Sequence, residues 1–376
     1  MAHKHLKIGY GVTVYSTGFN QGKLDGIGYY TQELAKSLSN TGCELFPVRF
    51  GKSKNVEGFE KKVTQLPRFT ITAGLSTLTG LPPYGSKSLH AQIDLFHSTD
   101  HHIPLLNDIP HIATIMDAIP LAHPEWANQR FRSLKNWLWR RTAQWPDHVI
   151  TISNYSKQQL VDYFKLKPEC ISVTPLGVDQ RYFEHFSQNE LDECLKQHTL
   201  PDNFFLFIGT LQPRKNLGCL IAAHRMLPKK LQAEFPLVVV GRVGWGNENW
   251  PALLNQKNII WLEEINDTEK RALLQTATAL TFPSLSEGFG LPVLEAFASG
   301  LPVIASNTTS LPEVAGSAAV LVDPTKPGDW CEAMQHLALN DSLRTDLKHK
   351  GLDRAKEFSW NACAQATLNV YQRVLE

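Results

Sequence analysis

Two successive series of short apolar segments, each alternating with amphipathic helical patterns, constrain this chain more than any other feature. In the first series, β-rich segments are predicted at 7–14, 45–50, 95–97, 111–116, 148–152 and 171–175. Helical patterns at 28–38, 131–145 and 157–164 lie between them, with apolar positions that recur every three or four residues. Strands that alternate with helices favour a parallel sheet with helices on both faces.

The same pattern then begins again. Buried strands are predicted at 204–208, 237–240, 259–262 and 279–282, and helices at 217–226, 268–276, 292–298 and 330–339. A polar stretch, 179–202, separates the two series. We therefore predict an α/β fold of two tandem, doubly wound, Rossmann-like domains that face each other across a cleft, covering 1–185 and 200–358. Residues 51–90 are rich in Gly, Pro, Ser and Thr and predict a long loop region.

Composition excludes several classes of protein. A chain of 376 residues with 43% hydrophobic and 19% charged residues has the make-up of a globular protein. Its net charge of +1 provides no field that would select nucleic acid. The six cysteines form no CxxC pair, which argues against a zinc knuckle and favours a reducing, cytoplasmic compartment. No apolar run approaches the roughly 18 residues that a transmembrane helix needs, and the N-terminus has no apolar signal core.

The segment TFPSLSEGFGLPVLEAFASGLPVIAS, 281–306, predicts a strand, a loop and a helix with Pro292 in its first turn. Gly288 and Gly290 would let the backbone approach a ligand, and the helix N-terminus favours an anion. Glu287 in the loop and Glu295 in the helix can accept hydrogen bonds from hydroxyl groups. An ordinary turn with one solvated and one helix-dipole glutamate would account for the same residues.

The segment LFIGTLQPRKNLGCLIAA, 206–223, places Gly209, Arg214 and Lys215 in a second loop between a strand and a helix. Asn216 is predicted to cap that helix. Two adjacent cations suit a diphosphate, because arginine grips oxygens in a fork and lysine acts as a point charge. A solvated basic loop is the alternative.

Together these segments resemble the family 4 glycosyltransferases, a large group with the GT-B fold. The resemblance covers nearly the whole chain and is most specific in GTLQPRKN, LVVVGRVGWGN and PSLSEGFGLPVLEAFASGLPVIAS. The blocks DGIGYYTQEL and PRKN are similar to mannosyltransferases of bacterial polysaccharide assembly.

The resemblance implies a role for each matching residue. Arg214 and Lys215 would neutralise the donor diphosphate, and Glu287 would bind hydroxyls of the donor sugar. Glu295 would bind the ribose. The remaining donor contacts would come from the backbone of Gly209, Gly288, Phe289, Gly290 and Leu291. The last helix, 359–376, would return to the N-terminal, acceptor-binding domain from the C-terminal, donor-binding domain.

The N-terminal half matches the family less closely. Gly26 and Gly28, in DGIGYYTQELAKSLS, would face the donor phosphate or the acceptor, although a plain tight turn explains them equally well. In ATIMDAIPL, Asp117 is kept where many relatives carry His-Asp, and Met116 stands at the histidine position. His101 and His102 are candidates for the cleft, with a structural role as the alternative.

The resemblance implies a retaining hexosyltransferase, with GDP-mannose as the expected donor and a glycan or lipid-linked acceptor in polysaccharide synthesis. A UDP-hexose-dependent transferase, a nucleotide-sugar epimerase and a non-catalytic binding module are the alternatives. The chain contains no Asp-x-Asp triplet and no HExxH, so we predict neither a metal nor a cofactor, and the nucleotide sugar is a co-substrate.

A basic, Trp-rich helix raises a further expectation. The segment RFRSLKNWLWRRTAQW, 130–145, contains five basic residues and three tryptophans. Such a helix can lie in a lipid interface, which predicts peripheral contact with the inner face of the plasma membrane. A helix with a solvated basic face is the alternative.

Overall fold

A computed structural model of the chain describes residues 6–22, 24–52, 56, 58–126, 132–246 and 249–376. These residues form two compact units, one comprising 1–177 with 360–376 and the other comprising 178–359. Each unit is built on its own parallel sheet. The two predicted α/β domains are thus confirmed as the fold class.

The first unit alternates strands and helices along most of its length. Its strands are β1 (Lys7–Gly11), β2 (Glu44–Phe50), β3 (Thr64–Leu66), β4 (Leu95–Ser98), β5 (His111–Thr114), β6 (His148–Thr151) and β7 (Ile171–Val173). Its helices before the second unit are α1 (Thr13–Asn20), α2 (Gly26–Ser39), α3 (Phe69–Thr79), α4 (Lys87–His90), α5 (Ile119–Ala122), α6 (Arg132–Thr142) and α7 (Asn154–Gln159). The strands pair in the order β3-β2-β1-β4-β5-β6-β7, and every pairing is parallel.

The second unit repeats this design. Its strands are β8 (Phe205–Ile208), β9 (Leu237–Val240), β10 (Ile259–Leu262), β11 (Ala279–Phe282), β12 (Val303–Ser306) and β13 (Val320–Val322). Its helices are α8 (Gln188–Gln197), α9 (Leu217–Met226), α10 (Lys229–Glu234), α11 (Trp250–Leu254), α12 (Asp267–Thr276), α13 (Leu291–Ala298), α14 (Leu311–Ala315), α15 (Pro327–Leu339) and α16 (Asp341–Lys356). The sheet order is β10-β9-β8-β11-β12-β13, so the connections reverse direction between β8 and β11. Ligands of doubly wound sheets bind at such a reversal, outside the carboxyl ends of the strands.

The last helix, α17 (Trp360–Leu375), belongs to the first unit and packs against α2. The ring of Trp360 meets that of Tyr29 edge-on at 5.9 Å. The hydroxyl of Tyr371 lies 2.7 Å from Nδ1 of buried His97, whose Nε2 lies 2.8 Å from the hydroxyl of Thr114. This buried network connects the end of the chain to β4 and β5.

Two segments differ from the sequence-based prediction. The presumed loop at 51–90 contains β3, α3 and α4, and the end of the β-rich segment predicted at 7–14 instead begins α1, which covers residues 13–20. The threonines of α3 obscure its pattern, yet the hydroxyls of Thr72, Thr77 and Thr79 donate to carbonyls three or four residues earlier, which is compatible with a helix.

The polar stretch 179–202 is not a linker, because α8 within it packs on α12 of the second unit. The units therefore divide between Gly177 and Val178, earlier than the predicted boundary.

All six cysteines are free thiols. Among the helices of the described residues, none combines the length and apolar character that a bilayer-spanning helix requires.

Candidate active site

The two loops that follow β8 and β11 meet at a buried ion-pair cluster. Arg214 and Lys215 end the short loop after β8, and Glu287 lies in the loop after β11. Lys215 Nζ lies 2.6 Å from Glu287 Oε1, and an Arg214 guanidinium nitrogen lies 2.9 Å from Oε2. Strands β8 and β11 flank the reversal of the second sheet, so the cluster occupies the place where this fold binds ligands.

Electrostatics keeps Glu287 ionised. Burial by itself would raise the pKa of Glu287, whose residue is only 8% exposed, but Lys215 and Arg214 outweigh that effect and hold the pKa at about 2. Burial lowers the pKa of Lys215 from its ordinary value, and the Glu287 carboxylate opposes this shift. Two cations and one carboxylate leave the cluster with a formal charge of +1.

Hydrogen bonds fix both loops around the cluster. The Arg214 guanidinium donates to the carbonyl of Ser286 at 3.0 Å, and the amide of Leu285 donates to the carbonyl of Arg214 at 2.8 Å. The hydroxyl of Ser310 donates to the carbonyls of Glu287 and Phe289. Neither loop can move without breaking these bonds, so the cluster is preorganised.

Asn216 lies at the predicted N-cap position of α9 but does not cap the helix through its side chain. It adopts a left-handed conformation with φ 56°, and its side chain makes no capping bond. Its amide instead donates to the carbonyls of Pro283 and Pro324. Asn216 thereby ties the Arg214–Lys215 loop to the end of β11.

Glycines allow the backbones at this edge to approach each other. A Cβ atom at Gly241 would lie 2.0 Å from the carbonyl oxygen of Gly209, so no side chain fits there. A Cβ at Gly209 would lie 3.7 Å from Cε of Lys215, which places Gly209 beside the cluster.

Gly290, with φ 120°, immediately precedes Leu291, the first residue of α13, and Pro292 lies in its first turn as predicted. A Cβ at Gly290 would come within 2.7 Å of the Leu311 side chain. Phe289 is 4% exposed and meets Phe358 edge-on, so its side chain belongs to the core and only its backbone can serve a ligand. Gly288 connects Glu287 to this turn.

Glu295 forms a second buried group with two residues that sequence reasoning missed. Its Oε1 accepts a hydrogen bond from the hydroxyl of Tyr182 at 3.0 Å, and its Oε2 lies 2.6 Å from Nζ of Lys270. The ammonium of Lys270 also lies 5.3 Å from the centre of the Tyr182 ring. Lys270 looks like an ordinary polar position of an amphipathic helix, so its sequence context carried no signal.

The remaining predicted site residues lie in the first unit. Asp25 caps α2, and its carboxylate accepts from the amide of Gly28 at 2.8 Å, so that amide is engaged within the protein. The helix begins at Gly26, two residues before the predicted start. Asp117 follows β5 and accepts a hydrogen bond from the amide of Ile119.

A cavity of about 580 Å³ in the first unit brings Asp117 and Met116 together with His101 and His102. The buried carboxylate of Asp100 lies 2.8 Å from Nδ1 of His102 and accepts from the backbone amide of His102 at 2.7 Å. A proton on Nδ1 leaves Nε2 as a hydrogen-bond acceptor.

Ligand atoms of Asp100, His101 and His102 lie within 4.8 Å of one another, the one such grouping of potential metal ligands among the described residues. Because the Asp100 carboxylate is already engaged by His102, the arrangement suits a histidine whose ring is held in one orientation.

Comparison with known proteins agrees with this geometry. The family model described as Glycosyltransferase Family 4 matches residues 24–182, and the model described as Glycosyl transferases group 1 matches residues 192–354. O-antigen chain mannosyltransferase B of Escherichia coli is 32% identical over 228 residues, which are 60% of each chain. Serotype-specific mannosyltransferase WbdA of Escherichia coli is 28% identical over 239 residues, which are 61% of this chain and 29% of WbdA. The matches thus span less than two thirds of these relatives.

Solved structures share the fold over almost the entire chain. Sucrose-phosphate synthase from Thermosynechococcus elongatus superposes with a TM-score of 0.76 at 18% identity, covering 98% of this chain and 99% of the other. Anabaena HepE in complex with UDP-glucose gives a TM-score of 0.74 at 15% identity, covering 98% and 100%. At these identities the similarity establishes the GT-B fold.

Proposed function

Because this chain belongs to the family 4 glycosyltransferases, we propose that it is a retaining hexosyltransferase that moves mannose from GDP-mannose to a glycan or lipid-linked saccharide. The observation that carries the proposal is the buried Arg214–Lys215–Glu287 cluster at the reversal of the second sheet. The Escherichia coli mannosyltransferases at 28% and 32% identity support the choice of mannose and of cell-surface polysaccharide as the product.

In this proposal, Arg214 and Lys215 stabilise the departing diphosphate. The bond between the anomeric carbon and the phosphate oxygen breaks, its electron pair stays on that oxygen, and the sugar acquires oxocarbenium character. The acceptor hydroxyl oxygen forms the new bond to the anomeric carbon on the same face, and its proton passes to the departing phosphate, which retains the anomeric configuration. Negative charge on the diphosphate therefore grows toward the transition state. The net positive cluster and the N-terminus of α13 are preorganised to stabilise it.

Glu287 is proposed to orient the donor sugar. Each of its carboxylate oxygens is engaged by one cation, and a carboxylate oxygen has a second lone-pair direction with which it can accept from a sugar hydroxyl. Glu295, held by Tyr182 and Lys270, is proposed to accept from the ribose hydroxyls in the same way.

The cavity in the first unit is proposed to hold the saccharide acceptor. It combines apolar walls with polar groups such as Asp117, Thr99 and His102, a lining that suits a sugar with apolar faces and many hydroxyls. His102, oriented by Asp100, presents Nε2 as an acceptor for one of those hydroxyls. A transferase that acts on a lipid-linked acceptor would work in the cytoplasm against the inner membrane face, where the basic helix α6 provides cations.

The experiment is a thermal-shift screen followed by transfer. GDP-mannose at a hundred times its dissociation constant should stabilise the protein by about 2.7 kcal/mol, and UDP- and ADP-sugars should stabilise it less. Incubation with GDP-mannose and a mannan-type oligosaccharide should then yield a product one hexose heavier by mass spectrometry. Preferential stabilisation by UDP-glucose would indicate that UDP-glucose, and not GDP-mannose, is the donor. Conversion of the donor without acceptor would indicate an epimerase.

A further inference from the structure

Helix α3 carries an apolar stripe on its outer face. Ile71, Leu75 and Leu78 recur at the four- and three-residue spacing of one helix face and are 56%, 56% and 84% exposed. The opposite face, with Thr72, Ala73 and Ser76, is buried against the unit. Leu81 and Tyr84 in the following loop are 64% and 91% exposed, so exposed apolar residues continue along the chain after the helix. Contiguous apolar surface of this kind marks an interaction site.

Helix α6 contacts α3 and adds aromatic and cationic groups. Leu134 and Trp137 are 62% and 52% exposed on α6, and Arg140 and Arg141 are exposed near its end. The described part of this helix contains four basic residues and no carboxylate. Its predicted neighbours Arg130 and Phe131 lie outside the described residues.

The stretch of sequence that carries the stripe contains basic residues and no acidic ones, although it is flanked by Glu60 and Asp94 and its Lys61 pairs with Glu44. Residues 61–93, which include α3, contain Lys61, Lys62, Arg68 and Lys87 and no Asp or Glu. An apolar stripe bordered by cations complements the surface of an anionic bilayer, into which the leucines would insert while the cations meet lipid phosphates. A protein partner that covered these leucines would have to present an apolar surface of its own. The basic residues of this segment give no reason to expect such a partner.

We propose that the outer faces of α3 and α6 form a surface that docks on an anionic lipid bilayer, with the α3 stripe as the inserting element. The same two helices line the cavity of the first unit through Phe69, Thr70, Asn136 and Trp139. Docking by these faces would thus place that cavity next to the bilayer, as a lipid-linked acceptor requires. This last consequence rests on the proposed function, whereas the docking itself rests on exposure and charge alone.

Flotation of the full-length protein with phosphatidylcholine vesicles, with and without equimolar phosphatidylglycerol, tests the proposal without donor or acceptor. We expect salt-sensitive flotation with the anionic vesicles. The double variant Leu75→Gln/Leu78→Gln should lower the partition coefficient about tenfold. Arg140→Gln/Arg141→Gln should remove most of the dependence on phosphatidylglycerol. Leu339→Gln, at a leucine of the second unit that is 64% exposed, is the matched control and should bind as the wild type does.

Size-exclusion chromatography with light scattering separates this outcome from self-association. Absence of flotation by the wild type, or flotation unchanged in the leucine variant, would overturn the proposal. A dimer that the leucine variant abolishes, without any vesicle binding, would assign the stripe to an interface between copies. Donor-induced thermal stabilisation, measured on the same proteins, reports the proposed transferase site independently, because none of the substituted residues belongs to it.

Discussion

Lys215 Nζ and Glu287 Oε1 lie 2.6 Å apart although 72 positions separate them in the chain. The contact joins the loops after β8 and β11, whose strands are neighbours in the second sheet. The ammonium also lies 4.8 Å from the centre of the Phe282 ring, and both Lys215 and Glu287 are buried. A buried charge that loses its partner costs free energy, so the choice of which charged residue to replace matters.

Removal of either cation should mainly lower the rate of transfer. We expect Lys215→Ala and Arg214→Ala each to reduce kcat by on the order of a hundredfold to a thousandfold, because the contact with the diphosphate strengthens as the bond breaks. Both variants should remain folded, since the other cation still partners Glu287. Lys350→Ala, which removes an exposed helical ion pair with Asp346, is the control and should retain wild-type kinetics. Near-normal rates in both site variants, with donor shown to bind, would contradict the role of the pair.

Glu287 and Glu295 should fail in different ways. Glu287→Gln removes a charge held beside the reacting sugar and should lower kcat strongly. Glu295→Gln should chiefly raise the KM for the donor, and Tyr182→Phe should do the same more weakly because it removes one hydrogen bond to Glu295. Steady-state kinetics over a range of donor concentrations measures both effects. Equal and mild changes in all three variants would leave both glutamates as structural residues.

Transfer should persist in EDTA, since the proposed charge partners of the diphosphate are Arg214, Lys215 and the start of α13. The measurement is product formation by mass spectrometry with and without chelator. Loss of activity in EDTA that manganese restores would refute this prediction. It would also direct attention to Asp100, His101 and His102, which could then be tested individually for metal binding.

The first unit should lose stability as the pH falls. Burial lowers the pKa of His97 and His111 to about 3, whereas an unfolded histidine titrates near its ordinary value of 6.5. Between these values the unfolded state binds the protons and the folded state does not, so acidification favours unfolding by about 1.4 kcal/mol per pH unit for each histidine. Urea unfolding should show this slope between pH 5 and 6 and little dependence on pH above 7.

His97→Gln should reduce the slope by one histidine's share, and His185→Gln, at an exposed position, should leave it unchanged.

The ionisation of Glu287 affects the stability of the second unit at lower pH. Its pKa of about 2 is below its ordinary value, so its stabilisation is present above about pH 4.5 and is lost as the pH falls toward 2. A stability independent of pH between 5 and 7 would contradict the assignment of the two buried histidines.

The sequence by itself determined the tandem α/β fold. It also singled out the glycine, glutamate and basic residues of the second unit as candidate site residues. Buried parallel strands such as 237–240 are continuous apolar runs. The loops PRKN and EGFG each also fit an ordinary turn, and their joint resemblance to the family 4 glycosyltransferases singled them out. Local pattern therefore carried the prediction of the fold, and the resemblance carried that of the candidate cluster.

Only the tertiary structure decided which of these residues share charge and hydrogen bonds. Glu287 was expected to bind sugar hydroxyls and the two cations to bind phosphate, but their mutual ion pairs depend on the order of β8 and β11 in the sheet. The partnership of Glu295 with Tyr182 and Lys270 joins three separate segments that no local pattern connects. Helix α3 was missed because the face it buries consists of small and polar residues such as Thr72 and Ser76, so that the surrounding Gly, Ser and Thr content indicated a loop. Contacts between distant segments depend on how strands are ordered and how helices pack, and local periodicity does not encode either.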